Sequence, residues 1–298
     1  MPDKKNNHFV GKGIIKFWAD ENGQVAYWEK NAAGKIELRN PKSVHKFDYL
    51  YASWDVSGKR DMRAEDALAV EIDNHAPDHV LKMLSEYPKV IPMSAERRDF
   101  LARMVVRTII RNPAVLDHVS RTPLGRLVQF LYRLKRRLER GRSPDSAYEK
   151  RGRDRVLLGE MISNLVEIDI EERVKELSAK RFALLVPESE APNFVLGSQP
   201  YFINPHMRNS STDFGRMNDA FCGIVIHPRM LLAIFDDGDE DEILFANRDD
   251  MQRINGLFIK YSSSVVSVTP ADLEGAWYHP FGKEDSDDIH RVSITAAL

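Results

Sequence analysis

Residues 94–111 read SAERRDFLARMVVRTIIR, and this segment sets the architecture because periodicity, capping and charge agree along it. Phe100, Leu101, Met104, Val105, Thr108 and Ile109 recur at the spacing that lines one face of a 3.6-residue turn. Ser94 stands where an N-cap oxygen is wanted, and Asn112-Pro113 ends the pattern. The spacing therefore predicts a helix with one face in the core. Along an adjoining line stand Arg103, Arg107 and Arg111, four apart, so three guanidinium groups project from the edge of a surface headed for the interior. That edge requires anions: the protein's own carboxylates, nucleic-acid phosphates or a small acidic ligand. A guanidinium drawn toward a core needs a carboxylate, and Glu65 and Glu71, on the preceding predicted helix, are the expected partners of Arg107 or Arg111.

With 298 residues, 43% of them hydrophobic, the chain is long enough for one large domain or two modest ones. No apolar run approaches the roughly 20 residues of a membrane helix, and MPDKKNNHFV lacks the apolar segment of a secretory signal, so a cytoplasmic location is expected. The single cysteine, Cys222, rules out an intrachain disulfide and has the setting of a small core residue. The formal net charge of −2 conceals a division. Ser94 to Arg155 holds 17 Lys+Arg and 7 Asp+Glu, a block of +10, which leaves −12 for the rest. Its densest part, RLKRRLERGR, places Arg133, Lys135, Arg136, Arg137 and Arg140 where they can follow a phosphate backbone. The same run also suits a solvated helix face, and only Phe130 and Tyr132 are at hand to stack on bases.

Taken in order, the chain predicts an α+β fold in which an N-terminal β-meander and C-terminal strands pack around a central, basic helical block. HFVGKGIIKFW, QVAYWEK and KIELR, separated by ADENG and NAAG, predict three strands with tight turns, and Val44 to Tyr51 a further extended piece. A helix begins near Arg63 and is restarted or kinked at Pro77; after residues 94–111 a further helix is expected from about Thr122 to Arg140, Gly141-Arg142-Ser143-Pro144 breaks the chain, and helical pattern resumes to Leu177. From Arg181 the period turns extended: FALLVPES, NFVLGSQPYF, GIVIHP and LLAIF predict four buried strands. DDGDEDE suits a solvated hairpin tip, Asn247 caps a last helix, and Ser263 to Val268 closes the fold. The expected organisation is one domain over residues 1–268, β-rich at 8–55, helical at 62–180 and β-rich with one helix at 181–268, followed by a polar extension over 269–298.

This order of features resembles that of a bacterial family called domain of unknown function 4238. Members open with His-Phe-Val-Pro-Gln; His8, Phe9 and Val10 match, and Gly11 and Lys12 stand where Pro and Gln would be. The family's aromatic strand resembles Val25 to Lys30, its acidic helix Glu65 to Ile72, and its Arg-Thr-Pro helix end Arg107 to Pro113. Its Ser-Asp-Asn-Pro strand end resembles Gly197, Ser198, Gln199 and Pro200, and its Asn-containing terminal helix Asn247 to Tyr261. If the family's Asp in that strand end were a catalytic carboxylate, Ser198 would not replace it as a base or a metal ligand. The resemblance carries no established activity; it implies a setting near prophages and phage-defence loci.

The expected site gathers His8, Lys12, Glu71, Arg107 and Arg111 as the chemical groups, with Ser198 and Gln199 at its rim. His8 would act as general acid or base and the arginines as phosphate clamps. On this basis the chain is expected to be a phage-defence-type effector acting on RNA or DNA; the alternative is a non-enzymatic sensor or binding module for a phage protein or a small ligand. Arg111 to His118 fits the loose Arg-His spacing of HEPN ribonucleases, but so does Arg39 to His45 in an extended segment, and Pro113 interrupts the helix such a pair requires. Glu71, His75 and His79 are spaced like zinc ligands on one helix, but Pro77 spoils the register, and no metal is expected. There is no Walker loop, no Gly-x-Gly-x-x-Gly and no Gly-x-Ser-x-Gly elbow, so no cofactor is expected either.

Overall fold

The computed structural model describes residues 6–30, 35–48, 53–54, 60–113, 130, 169–203, 220–236, 238 and 240–274. The chain enters as strand β1 (Asn6–His8) and then turns helical, through α1 (Lys12–Ile15) and a 3-10 turn (Lys16–Trp18). The strand expected across HFVGKGIIKFW is thus corrected after His8. Ile14, Ile15 and Trp18 follow helical spacing and all are buried. Trp18 fixes the turn by donating its indole N–H to the Phe194 carbonyl at 2.7 Å. The meander follows as β2 (Val25–Glu29) and β3 (Ile36–Arg39), then β4 (Lys46–Asp48), which pairs with β1. Two residue pairs, β5 (Ser53–Trp54) and β6 (Arg60–Asp61), lead to the helices.

Helix α2 (Arg63–Leu68) widens into a π-turn (Ala69–Asp73), and α3 (Ala76–Glu86) restarts with Pro77 in its first turn, as its fixed φ favours. Next, α4 (Ala95–Ile110) is the helix expected from residues 94–111: the Ser94 hydroxyl accepts the Arg97 N–H at 3.3 Å, and Leu101, Met104, Val105 and Ile109 are buried. It packs along α5 (Glu171–Ser178).

The C-terminal half builds β7 (Arg181–Pro187), β8 (Leu196–Gly197), β9 (Tyr201–Ile203), β10 (Ala220–His227), β11 (Met230–Phe235) and β12 (Glu242–Ala246). Helix α6 (Arg248–Tyr261), β13 (Ser264–Ser267) and a short helix α7 (Pro270–Glu274) complete it. Asn247 caps α6 with a reciprocal box, its side chain accepting the Asp250 N–H at 3.0 Å. One sheet has the order β12-β7-β11-β10-β9. The other, β3-β2-β13-β8, joins the N-terminal meander to the closing strand, so the two β regions share a sheet and the fold is α+β. NFVLGSQPYF, expected as one strand, is two: β8 pairs with β13 in the second sheet and β9 with β10 in the first. Pro200, between them, cannot donate to a ladder and marks the break.

The acidic run DDGDEDE is not a hairpin tip. The chain leaves β11, passes the beginning of β7 and enters β12 parallel to β7 on its far side, a strand the sequence reading left out. Asp241 turns inward at this crossing. Its carboxylate is fully buried and accepts the Phe182 N–H at 3.0 Å, the Met93 N–H at 2.8 Å and the Arg98 guanidinium. One side chain thereby ties the start of β7 and the residues before α4 to the sheet edge. Cys222 is buried, and burial pushes its thiol up to about 12, which leaves it an inert core group. The expected extension from Thr269 first forms α7, with Leu273 in the core.

Candidate functional site

The site forms where the amino-terminal turn, the π-turn after α2 and the end of α4 meet. A regular helix places residues 71 and 73 about 200° apart, which is why the spacing alone does not pair both with one neighbour. The chain departs from that geometry at the π-turn, a feature often found at functional positions. Both carboxylates reach α4: Glu71 accepts Arg107 Nε at 2.9 Å, and Asp73 accepts Arg111 Nη1 at 2.7 Å. Arg103 bridges Glu71 at 3.3 Å and Glu171 of α5 through two contacts, with Asp99 at 3.5 Å. The Glu171 carboxylate holds the Arg103 guanidinium in its charged form, and the same contact lowers the Glu171 pKa. The arginine edge of residues 94–111 therefore meets the protein's own carboxylates. Glu71 is the partner expected for Arg107; for Arg111 it is Asp73, which sequence reasoning missed.

Gly11, at the N-cap of α1, lies against this pair. A Cβ there would stand 2.7 Å from Asp73 Oδ1 and 3.6 Å from Arg111 Nη2, so any side chain at this position would have to displace the Asp73 carboxylate. A narrow cleft beside it, lined in part by Gly11, Asp73, Arg111 and Pro200, has about 20 Å³ of free space, room for a single water. Asn112 ties the end of α4 to the second sheet, donating to the Ser198 carbonyl at 3.0 Å. The Ser198 hydroxyl accepts the Ser263 N–H at 2.9 Å, and the Gln199 N–H donates to Ser262 Oγ at 3.2 Å. Ser198 and Gln199 are both buried, so they join the two β regions behind the site rather than forming an open rim.

His8 ends β1. Its pKa is lowered, first by burial and then by the charges of Lys12 and Lys46; Asp73 acts in the opposite sense. The structure thus gathers His8, Lys12, Asp73 and Arg111 into one neighbourhood. It adds Lys46 and His45, for which the sequence offered no functional signal. His45 is 3% exposed and has φ of 48°, a left-handed conformation uncommon outside glycine. Its carbonyl accepts the Phe9 N–H at 3.2 Å, and the Phe9 ring stacks on its imidazole. Burial pushes the His45 pKa down to about 3, the Ser264 backbone opposing this and the His8 charge adding to it.

Arg133, Lys135, Arg136, Arg137, Arg140 and His118 lie outside the described residues. No cluster of three or more His, Cys, Asp or Glu side chains suited to a metal occurs among the described residues. The register loss expected at Pro77 is corrected: the His79 N–H donates to the His75 carbonyl at 3.1 Å, so the helix runs unbroken past the proline, which stands in its first turn where no N–H is needed. No described helix is long and apolar enough to cross a membrane. His227, expected in the core, is half-buried; burial lowers its pKa to about 4, and Nδ1 accepts the Arg229 N–H at 3.0 Å.

These imidazoles give the fold an acid-sensitive stability. The folded state holds His45 neutral down to about pH 3, whereas an unfolded histidine takes up a proton near pH 6.5. Its contribution is complete above pH 6.5 and is lost as the pH falls toward 3. At pH 5 the loss from His45 alone is about 2 kcal/mol. Urea midpoints at pH 7 and pH 5 should show this fall, and His45→Asn, which tolerates the same backbone conformation, should reduce it; an equal fall in the variant would show that other groups carry it.

No curated protein and no solved structure matches the chain. The family model described as "Protein of unknown function (DUF4238)" matches residues 6–272, a span that contains every element of the site just described, and the chain belongs to that family.

Proposed function

We propose that the protein is an effector of the phage-defence type that acts on RNA or DNA, with His8 as the acid–base group and Lys12 and Lys46 as the cations that receive a phosphate. The observation that carries this reading is the setting of His8: an imidazole depressed below its ordinary pKa by burial and by two lysines, with Asp73 at hand. A neutral imidazole at pH 7 can accept a proton from a hydroxyl, and adjacent ammonium groups can stabilise charge developing on a phosphate. Among the described residues no hydrogen bond or ion pair engages the Lys12 ammonium. Arg107 and Arg111 were expected as clamps. With Glu71 and Asp73 as partners, they serve this proposal by fixing the Asp73 carboxylate, whose charge acts on His8. Arg133, Lys135, Arg136, Arg137 and Arg140 would extend the contact along the backbone.

The second reading is a non-enzymatic sensor or binding module for a phage protein or a small ligand. It is favoured by the carboxylate matching of Arg103, Arg107 and Arg111. A salt titration of binding to single-stranded RNA and duplex DNA separates the two. If six or more phosphates are neutralised, affinity should fall by roughly a thousandfold or more between 50 and 200 mM salt. Absence of binding at low salt would set aside the nucleic-acid reading in favour of the sensor.

A further inference from the structure

A cleft of about 340 Å³ opens between the loop after β7, α6 and α7, a volume at the lower end of the range for small-molecule sites. Its floor is rigid. Asn255, 1% exposed, accepts the Val195 N–H at 3.0 Å and donates to the Asn193 carbonyl at 2.8 Å. Asp272, 8% exposed, accepts the Asn193 N–H at 3.1 Å and both the N–H and the hydroxyl of Thr269 at 3.0 Å.

The walls differ from the floor. Arg248 and Glu190 face the cleft with opposite charges that do not neutralise one another: the one polar contact of the Arg248 guanidinium among the described residues is a long bond to the Glu190 carbonyl, 3.4 Å. The carboxamides of Gln252 and Asn193, which also line the cleft, have no hydrogen-bond partner among the described residues. A fixed polar floor thus carries one unmatched cation, one unmatched anion and two amides able to donate and accept. A carboxylate alone would meet Glu190 and the buried Asp272, and an amine alone would meet Arg248. A molecule bearing both charges answers every wall.

We propose that this cleft binds a free α-amino acid with a polar side chain, its carboxylate on Arg248, its ammonium on Glu190 and its side chain between Gln252 and Asn193. The site is separate from the His8 site and does not rest on the nucleic-acid reading. The test is a titration of the full-length, 15N-labelled chain with L-glutamine, followed through the amide resonances of Asn193 and Gln252, beside matched titrations with acetate and with methylammonium. Saturable shifts are expected with L-glutamine and not with either half at the same concentration. Arg248→Met and Glu190→Gln, substitutions at exposed positions that leave the floor intact, should each weaken the affinity at least tenfold. No saturable shift with L-glutamine, equal binding of acetate or methylammonium, or unchanged affinity in both variants would overturn the proposal.

Discussion

Replacing Asp241 with Ala is expected to destabilise the fold by about 4 kcal/mol, more than any other single truncation proposed for this chain. The carboxylate is fully buried and is shared by two backbone N–H groups and the Arg98 guanidinium. Removing it leaves both amides without their acceptor and deprives a cation that is itself mostly out of solvent of its counter-charge, with only the Ser178 and Lys180 carbonyls left to it. Asp241→Asn keeps one acceptor oxygen and should fall between the wild type and Asp241→Ala. Urea denaturation measures the difference. A midpoint shift worth less than about 1 kcal/mol in the Ala variant, no more than an ordinary substitution costs, would show that the crossing into β12 is held by other contacts.

The second large effect is expected at Arg111. Its side chain is 4% exposed and its Asp73 partner 25% exposed, so Arg111→Met leaves a carboxylate facing the core with only part of its surface in water. The cost should be about 3 kcal/mol, below that of Asp241→Ala because Asp73 can regain some hydration. The double variant Arg111→Met with Asp73→Asn should recover part of the loss, since removing both charges leaves no unpaired ion. An unchanged melting temperature in Arg111→Met would mean that the Asp73 contact contributes nothing and that the guanidinium is available to a ligand.

What could be read ahead of the structure was local. Ser94 before an apolar-periodic run, Asn112-Pro113 after it, Pro77 at the head of a helix and the Asn247 cap each act within a few residues, and each stands where its chemistry places it. Less legible was whatever depended on distant parts of the chain. Gly11 to Trp18 has enough β-branched and aromatic residues to suggest a strand; the helical turn wins because it buries Ile15 and Trp18 completely and gives the indole a partner 176 residues away. β12 was hidden behind an acidic run, since nothing local shows that Asp241 turns inward while Asp236 meets Lys180 near the surface. In the site, Glu71 could be named because an arginine edge drawn toward the core needs a carboxylate from the preceding helix. Asp73 could not, because its approach to α4 comes with a π-turn that no simple period announces. Lys46 and His45 come to His8 through the pairing of β1 with β4, a register beyond the reach of a sequence pattern.

The proposed acid–base chemistry of His8 on nucleic acid is measured by turnover of end-labelled single-stranded RNA and duplex DNA by the full-length chain and its His8→Gln variant. His8 is half-buried at the end of a three-residue strand, so the variant should fold, which an unchanged urea midpoint would confirm. Conversion of at least one substrate by the wild type is expected, with a loss of about 100-fold or more in His8→Gln. Equal turnover by the two proteins, or no turnover by the wild type on either substrate, would contradict it.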